Sequence, residues 1–182
     1  ETQGAMPDIV TMAKGIGNGC PLAAVVTTPE IAQVLATRIH FNTFGGNPVS
    51  MAQGRAVLRV IEKEGLQQNS LEIGAYLTAG FHKLAEKHSL IGEVRGKGLM
   101  LCVENVANKA TKELLPDAVN ESKRISNVCE SLGLLVRPIG HLNVMSPPLV
   151  ITESQIDFIA ETLEVAIRQV TDDLVREGVR VG

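Results

Sequence analysis

Three residues stand where their type and neighbours could do chemistry. Lys14 follows a β-prone run, Asp8 to Met12, and precedes glycines at alternate positions, Gly15, Gly17 and Gly19. A lysine amine held at a flexible, open backbone can meet a ligand, and its sharpest chemistry is a Schiff base with a carbonyl carbon. The plain reading is a solvated lysine at a strand end. A Walker loop is excluded, since its lysine follows the glycines and a Ser or Thr comes next. A dinucleotide fingerprint is excluded too, because Cys20 stands where its third glycine belongs. Thr43 lies in Asn42-Thr43-Phe44-Gly45-Gly46-Asn47. Its hydroxyl, the loop amides and the N-terminus of the following helix could together hold a phosphate; without a ligand the segment is a capping loop. Arg95 sits beside Gly96 and Gly98, and its guanidinium fork could take a carboxylate in a bidentate pair. The plain reading there is a surface arginine in a hairpin. Arg137, before Pro138, has the same plain reading and weaker support.

The remaining reactive side chains form no pattern. Cys20, Cys102 and Cys129 are widely spaced and read as reduced, buried thiols of an intracellular protein. His40, His82, His88 and His141 do not have metal-ligand spacing and read as structural or solvated.

Composition bounds what these residues can serve. The 182 residues are 45% apolar and carry a formal charge of 17 − 20 = −3. That is too apolar and too weakly charged for a disordered chain. A nucleic-acid binder would show a basic stripe and aromatics to stack on; this chain has four Phe, one Tyr and no Trp. No apolar run approaches the roughly 20 residues that span a bilayer. The chain opens on Glu1 and runs at once into apolar, Gly-rich text, which reads either as a chain from which a segment was removed or as a piece of something larger.

The elements that must position these residues follow from periodicity. Asp8 to Met12 and Leu22 to Thr27 read as strands, the second buried because it does not alternate. Thr28-Pro29 opens a short helix, and Asn47-Pro48 opens a longer one with an apolar stripe at Val49, Ala52, Ala56, Val57, Val60 and Ile61. A further helix is predicted from about Ser70 to His88, with Leu71, Ala75, Thr78, Phe81, Leu84 and Ala85 on one face. Glu93 to Val106 reads as strand, turn and strand, and Asp117 to Leu132 as one amphipathic helix. Leu134 to Pro138 and Asn143 to Met145 read as short strands. Thr152 and Gln155 form a capping box that opens a long helix with Ile156, Ile159, Ala160, Leu163, Ala166, Ile167, Val170 and Leu174 facing inward. The first third reads as part of an α/β domain and the rest as a smaller α+β domain.

Four segments in order carry a resemblance: Asp8 to Gly19 (DIVTMAKGIGNG), Phe41 to Pro48 (FNTFGGNP), Val94 to Met100 (VRGKGLM) and Ser146 to Thr152 (SPPLVIT). Together they resemble the class III, ornithine-type aminotransferases, which use pyridoxal phosphate. Within that class the text is most similar to alanine–glyoxylate aminotransferases of the mitochondrial type. The resemblance implies an α/β, aspartate-aminotransferase-like fold (fold type I of the PLP enzymes). Residues 1–70 would be the C-terminal part of the cofactor-binding large domain, and residues 71–182 a linker helix and small domain. It implies that Lys14 forms the internal aldimine with pyridoxal 5'-phosphate and shuttles the substrate proton. Thr43 would bind the cofactor phosphate across a homodimer interface, and Arg95 would bind the substrate carboxylate. The substrates would be an amino acid such as alanine and a 2-oxo acid such as glyoxylate. Omega-amino-acid:pyruvate aminotransferases and amino-alcohol-phosphate phospholyases share much of this text, and an inactive interaction module is the non-enzymatic alternative. A homodimer or tetramer in an intracellular, mitochondrial setting is implied, with no nucleic acid, membrane or metal. The family's phosphate loop, its ring-stacking aromatic and the Asp that pairs with the pyridinium nitrogen precede the lysine and are not found in these residues. The expectation is therefore that the 182 residues alone are not a competent enzyme and expose apolar surface.

Overall fold

The computed structural model describes residues 3–181. It divides into two compact units, Glu1–Gly65 and Leu66–Gly182.

In the first unit, β1 (Ile9–Met12) and β2 (Ala24–Thr27) pair antiparallel, Ile9 opposite Thr27 and Met12 opposite Ala24. A single 3₁₀ turn, Lys14–Gly17, follows β1. Two helices follow β2: α1 (Pro29–Ala36) and α2 (Pro48–Lys63), each with proline in its first turn, where no N–H is missed. Leu22 lodges against Gly54 of α2, where a Cβ would collide with its side chain, so the segment after the 3₁₀ turn is seated on the helix. The expectation of a buried second strand is overturned: Val25 and Val26 are 67% and 54% exposed. A non-alternating apolar strand is buried only where both its faces are covered. Among the described residues β2 has β1 as its single neighbour in the sheet. The apolar stripe of α2 likewise stays open, with Gly54 its one buried residue.

The second unit begins with α3 (Leu66–Lys87) and continues through β3 (Ile91–Lys97), β4 (Met100–Asn105), α4 (Glu121–Ser131), β5 (Arg137–Ile139), β6 (Leu142–Met145) and α5 (Glu153–Arg176). The strands form one antiparallel sheet in the order β3-β4-β6-β5. The helices α3, α4 and α5 contribute Leu77, Phe81, Ile125, Leu163 and Ile167 to a core with the inward side chains of the sheet, Val94, Leu101 and Val103. Alternation places Glu93 and Arg95 of β3, and Cys102 and Glu104 of β4, on the more open face. The inward stripe expected for α5 holds from Ile156 to Leu174, with Thr162 added and Ala160 half-buried. The backbone N–H of Thr152 donates to Gln155 Oε1 at 3.0 Å, one half of the expected box.

Helix α3 and the helix predicted over 117–132 differ from the sequence reading, each for a local reason. Helix α3 starts at Leu66 rather than Ser70, because Gly65 at φ 61° turns the chain in one residue and Leu66 is buried. Its inward face runs through Gly74 and Leu77 rather than Leu71 and Ala75. The backbone of Gly98 lies where a Cβ at Gly74 would stand, so a glycine meets the hairpin. Asn120, at φ 52°, splits the predicted helix into a 3₁₀ turn, Asp117–Val119, and α4.

Candidate functional site

Lys14 occupies the first position of the 3₁₀ turn with φ 56°, in the left-handed region. A long-chain L-residue there carries a steric cost of roughly 1–2 kcal/mol that glycine avoids. Such outliers gather at functional sites, where the rest of the structure holds them in place. The Lys14 side chain is exposed and has no hydrogen-bond or carboxylate partner among the described residues. A Cβ at Gly15 or Gly19 would meet open space, so the backbone beside the lysine leaves room for a bound molecule.

Thr43 sits on a loop folded by asparagine. Asn42 Oδ1 accepts from the N–H groups of Phe44 and Gly45 at 3.1 Å each, and Gly45 packs so closely on Asn42 that a Cβ would stand 3.2 Å from its side chain. The next residue, Gly46, has φ 69°. Two of the first-turn amides of α2 that could meet a phosphate are engaged in this structure. Asn47 Oδ1 already accepts from Val49 N at 2.9 Å and Ser50 N at 3.3 Å, which caps those amides. The Thr43 hydroxyl and the N–H groups of Thr43 and Gly46 have no internal partner among the described residues. This donor set suits a phosphate, and an unpaired lysine amine suits an aldehyde carbon, the two kinds of contact that a phosphorylated carbonyl cofactor needs.

Arg95 is committed. Its guanidinium makes a fork with Glu104, Nη1 to Oε2 at 2.7 Å and Nη2 to Oε1 at 3.2 Å, and Nη1 also reaches Glu93 at 3.3 Å. The hydrogen bonds from Arg95, opposed by partial burial and aided by its charge, hold Glu104 below the usual carboxylate range. In this structure the Arg95 fork is taken up by a neighbour on its own sheet, Glu104.

Sequence reasoning gave little weight to Arg137. It lies on β5 at a cleft of about 1000 Å³ whose walls include Val136, Met145, Pro147 and Phe158, with Gln155 at its polar side. Among the described residues it has no carboxylate partner. The signal was in the text: no Asp or Glu occurs from Ser131 to Thr152. Lys14 and Thr43 belong to the first unit, Arg95 and Arg137 to the second. Of the thiols expected to be buried, Cys129 alone is, and burial pushes it up to about 11; Cys20 and Cys102 are half-buried, and all three are free. No helix among the described residues is long and apolar enough to cross a membrane.

Known proteins agree with this architecture. The profile of the family Aminotransferase class-III matches residues 1–167. The chain is 48% identical over 176 residues to "Alanine--glyoxylate aminotransferase 2, mitochondrial" of Pongo abelii, covering 93% of the chain and 33% of that protein. It is 51% identical over 167 residues to "Alanine--glyoxylate aminotransferase 2 homolog 2, mitochondrial" of Arabidopsis thaliana, covering 90% of the chain and 34% of that protein. The chain thus spans about a third of the length of these curated relatives. Among solved structures, an omega-transferase from Vibrio fluvialis JS17 superposes with a TM-score of 0.90 at 32% identity, over 96% of this chain and 43% of that one. An amine transaminase from an uncultivated Pseudomonas species, in a PLP-bound internal aldimine form, gives 0.87 at 34% identity, over 93% and 40%. The fold is that of these transaminases, fold type I, and the chain belongs to the class-III aminotransferase family.

Proposed function

We propose that this chain is part of a pyridoxal-phosphate-dependent transaminase that moves an amino group from alanine or a similar donor to glyoxylate or another 2-oxo acid. The observation that carries the reading is Lys14: an unpaired amine on a left-handed backbone, beside glycines that leave room for a ligand. The names of the relatives from P. abelii and A. thaliana support the substrate pair and a mitochondrial location. Residues 1–70 are the part that binds the cofactor, and residues 71–182 a linker helix and small domain. When bound, pyridoxal phosphate supplies an electron sink for charge at the substrate α-carbon.

The chain's own residues have separable tasks. Lys14 Nζ would hold the cofactor at its carbonyl carbon and, once a substrate amine had displaced it, would be the acid–base group that moves the proton from the substrate α-carbon to that cofactor carbon. The Thr43 hydroxyl, with the free amides of Thr43 and Gly46, donates hydrogen bonds to the phosphate. A guanidinium holds the substrate carboxylate. For Arg95 that requires exchange with Glu104, whereas Arg137 has nothing to leave. The similarity to omega-transaminases supports a second reading of the same site, in which an omega-amino acid is the donor. The exposed apolar residues Phe41 and Phe44 beside Thr43 support assembly as a homodimer through that loop.

Lys14→Ala in the whole protein tests the proposal. Turnover of alanine with glyoxylate should fall by at least about 10²-fold, the contribution of a positioned acid–base group, and the cofactor absorbance band should shift. Unchanged turnover overturns the assignment. With one 2-oxo acid as the shared acceptor, malonate semialdehyde formation from β-alanine exceeding pyruvate formation from alanine selects the second reading.

A further inference from the structure

The hairpin that presents Arg137 is short and has one partner. Strand β5 is three residues long, lies at the sheet edge and pairs only with β6: Arg137 opposite Val144, Pro138 opposite Asn143, Ile139 opposite Leu142. Pro138 has no N–H to give this ladder. Strand β6 ties β5 to the rest of the sheet through β4, and α4 packs against β5. With so few ladder bonds of its own, β5 also depends for its position on the turn, Gly140-His141, where Gly140 has φ 55°.

That turn is tied down by buried polar groups. His141 Nδ1 lies 2.9 Å from Oε1 of Glu121, a first-turn residue of α4 whose side chain is 1% exposed. The Ser122 hydroxyl donates to the Gly140 carbonyl. The His141 carbonyl accepts from Asn105 N at 2.9 Å and Asn105 Nδ2 at 3.0 Å. Asn143, on the next strand, donates to the Ser122 carbonyl at 2.9 Å. An ionisable carboxylate is seldom fully buried without a partner, and His141 is the one hydrogen-bond partner of Glu121's carboxylate among the described residues. Beside it, His141 Nε2 is 3.4 Å from the exposed Asp117.

We propose that His141, locked by Glu121, is a positioning residue for carboxylate binding: it fixes the β5–β6 turn and thereby the strand that carries the unpaired Arg137 guanidinium. This rests on the reading of Arg137 as a carboxylate-binding group. The ligand class is a small carboxylate with an apolar body, matched to a cation on an apolar-walled cleft.

The test is nuclear magnetic resonance on the ¹⁵N-labelled chain, following the Nε–Hε signals of Arg137 and Arg95 while propionate is added, with propionamide as the uncharged control. In the native chain the Arg137 signal should move with propionate and not with propionamide. His141→Ala and His141→Gln should raise the half-saturating propionate concentration about fivefold, the loss of one hydrogen bond. His141→Asn places an amide N–H where Nδ1 stands and should stay within about twofold of the native value. If His141→Ala does not fold, the contrast between the Asn and Gln variants carries the same decision. Equal half-saturation in all four proteins overturns the positioning role while leaving Arg137 as a binder. An unresponsive Arg137 in the native chain, or a response at Arg95 instead, overturns both.

Discussion

The two units use similar proportions of apolar sequence to opposite effect. In the second, Leu77, Phe81, Ile125 and Leu163 are fully buried in one core built from three helices and a four-stranded sheet. In the first, the only buried residues among those described are Gly17 and Gly54, and Phe41 and Phe44 are 82% and 81% exposed. The difference teaches that amphipathic patterning states a demand for cover and not its presence. The second unit supplies the cover from its own elements; the first has the pattern without the layers. The residues proposed to handle the cofactor lie in the unit with no core, so their placement depends on local devices: an asparagine turn, a helix cap and glycines at positive φ.

The largest effect that could break this comparison comes from truncating matched aromatics. Phe81→Ala should cost about 3–5 kcal/mol in denaturant unfolding, since its side chain is fully buried. Phe44→Ala should stay within about 0.5 kcal/mol. Similar losses from both would show that the first unit has a core after all. Added methyl groups sharpen the same contrast. Gly74→Ala drives a Cβ into the Gly98 backbone and should cost about 1–3 kcal/mol, while Gly15→Ala meets open space and should be near neutral by the same unfolding midpoint. The smallest effect is acid sensitivity. Glu104, held by hydrogen bonds from Arg95, and Glu164, held by those from Lys87, titrate below the usual range in the folded second unit. A carboxylate lowered on folding stabilises fully above its unfolded value of about 4.3, and that stabilisation is lost as pH falls through the folded value. The urea midpoint of the second unit should therefore drop below about pH 4, by less than about 1 kcal/mol per pair, and Glu104→Gln should flatten the drop.

What could be read from the text tracks the same division. The inward face of α5 is legible because a single stripe repeats over 24 residues and every position finds a partner in the core. Asn47-Pro48 is legible as a helix start because the cap is a local interaction between neighbours in sequence. The expected face of α3 holds at Phe81 and Leu84 and fails at Leu71 and Ala75, since the approach of Gly98 to Gly74 joins residues 24 apart and leaves no periodic mark. Motif order singles out Lys14, Thr43 and Arg95, and it does not show the carboxylate neighbours of Arg95. The fork between Arg95 and Glu104 arises from a strand register that the text does not state, although the lack of acids around Arg137 was there to be counted.

The backbone at Lys14 has one more implication. Glycine at that position would relieve the left-handed φ, so a sequence drifting toward stability alone would lose its lysine. The residue proposed to do the chemistry is thus also one the local fold is better off without. Retention of lysine there over many generations would be a record of selection for the reaction, written at a position where folding pulls the other way.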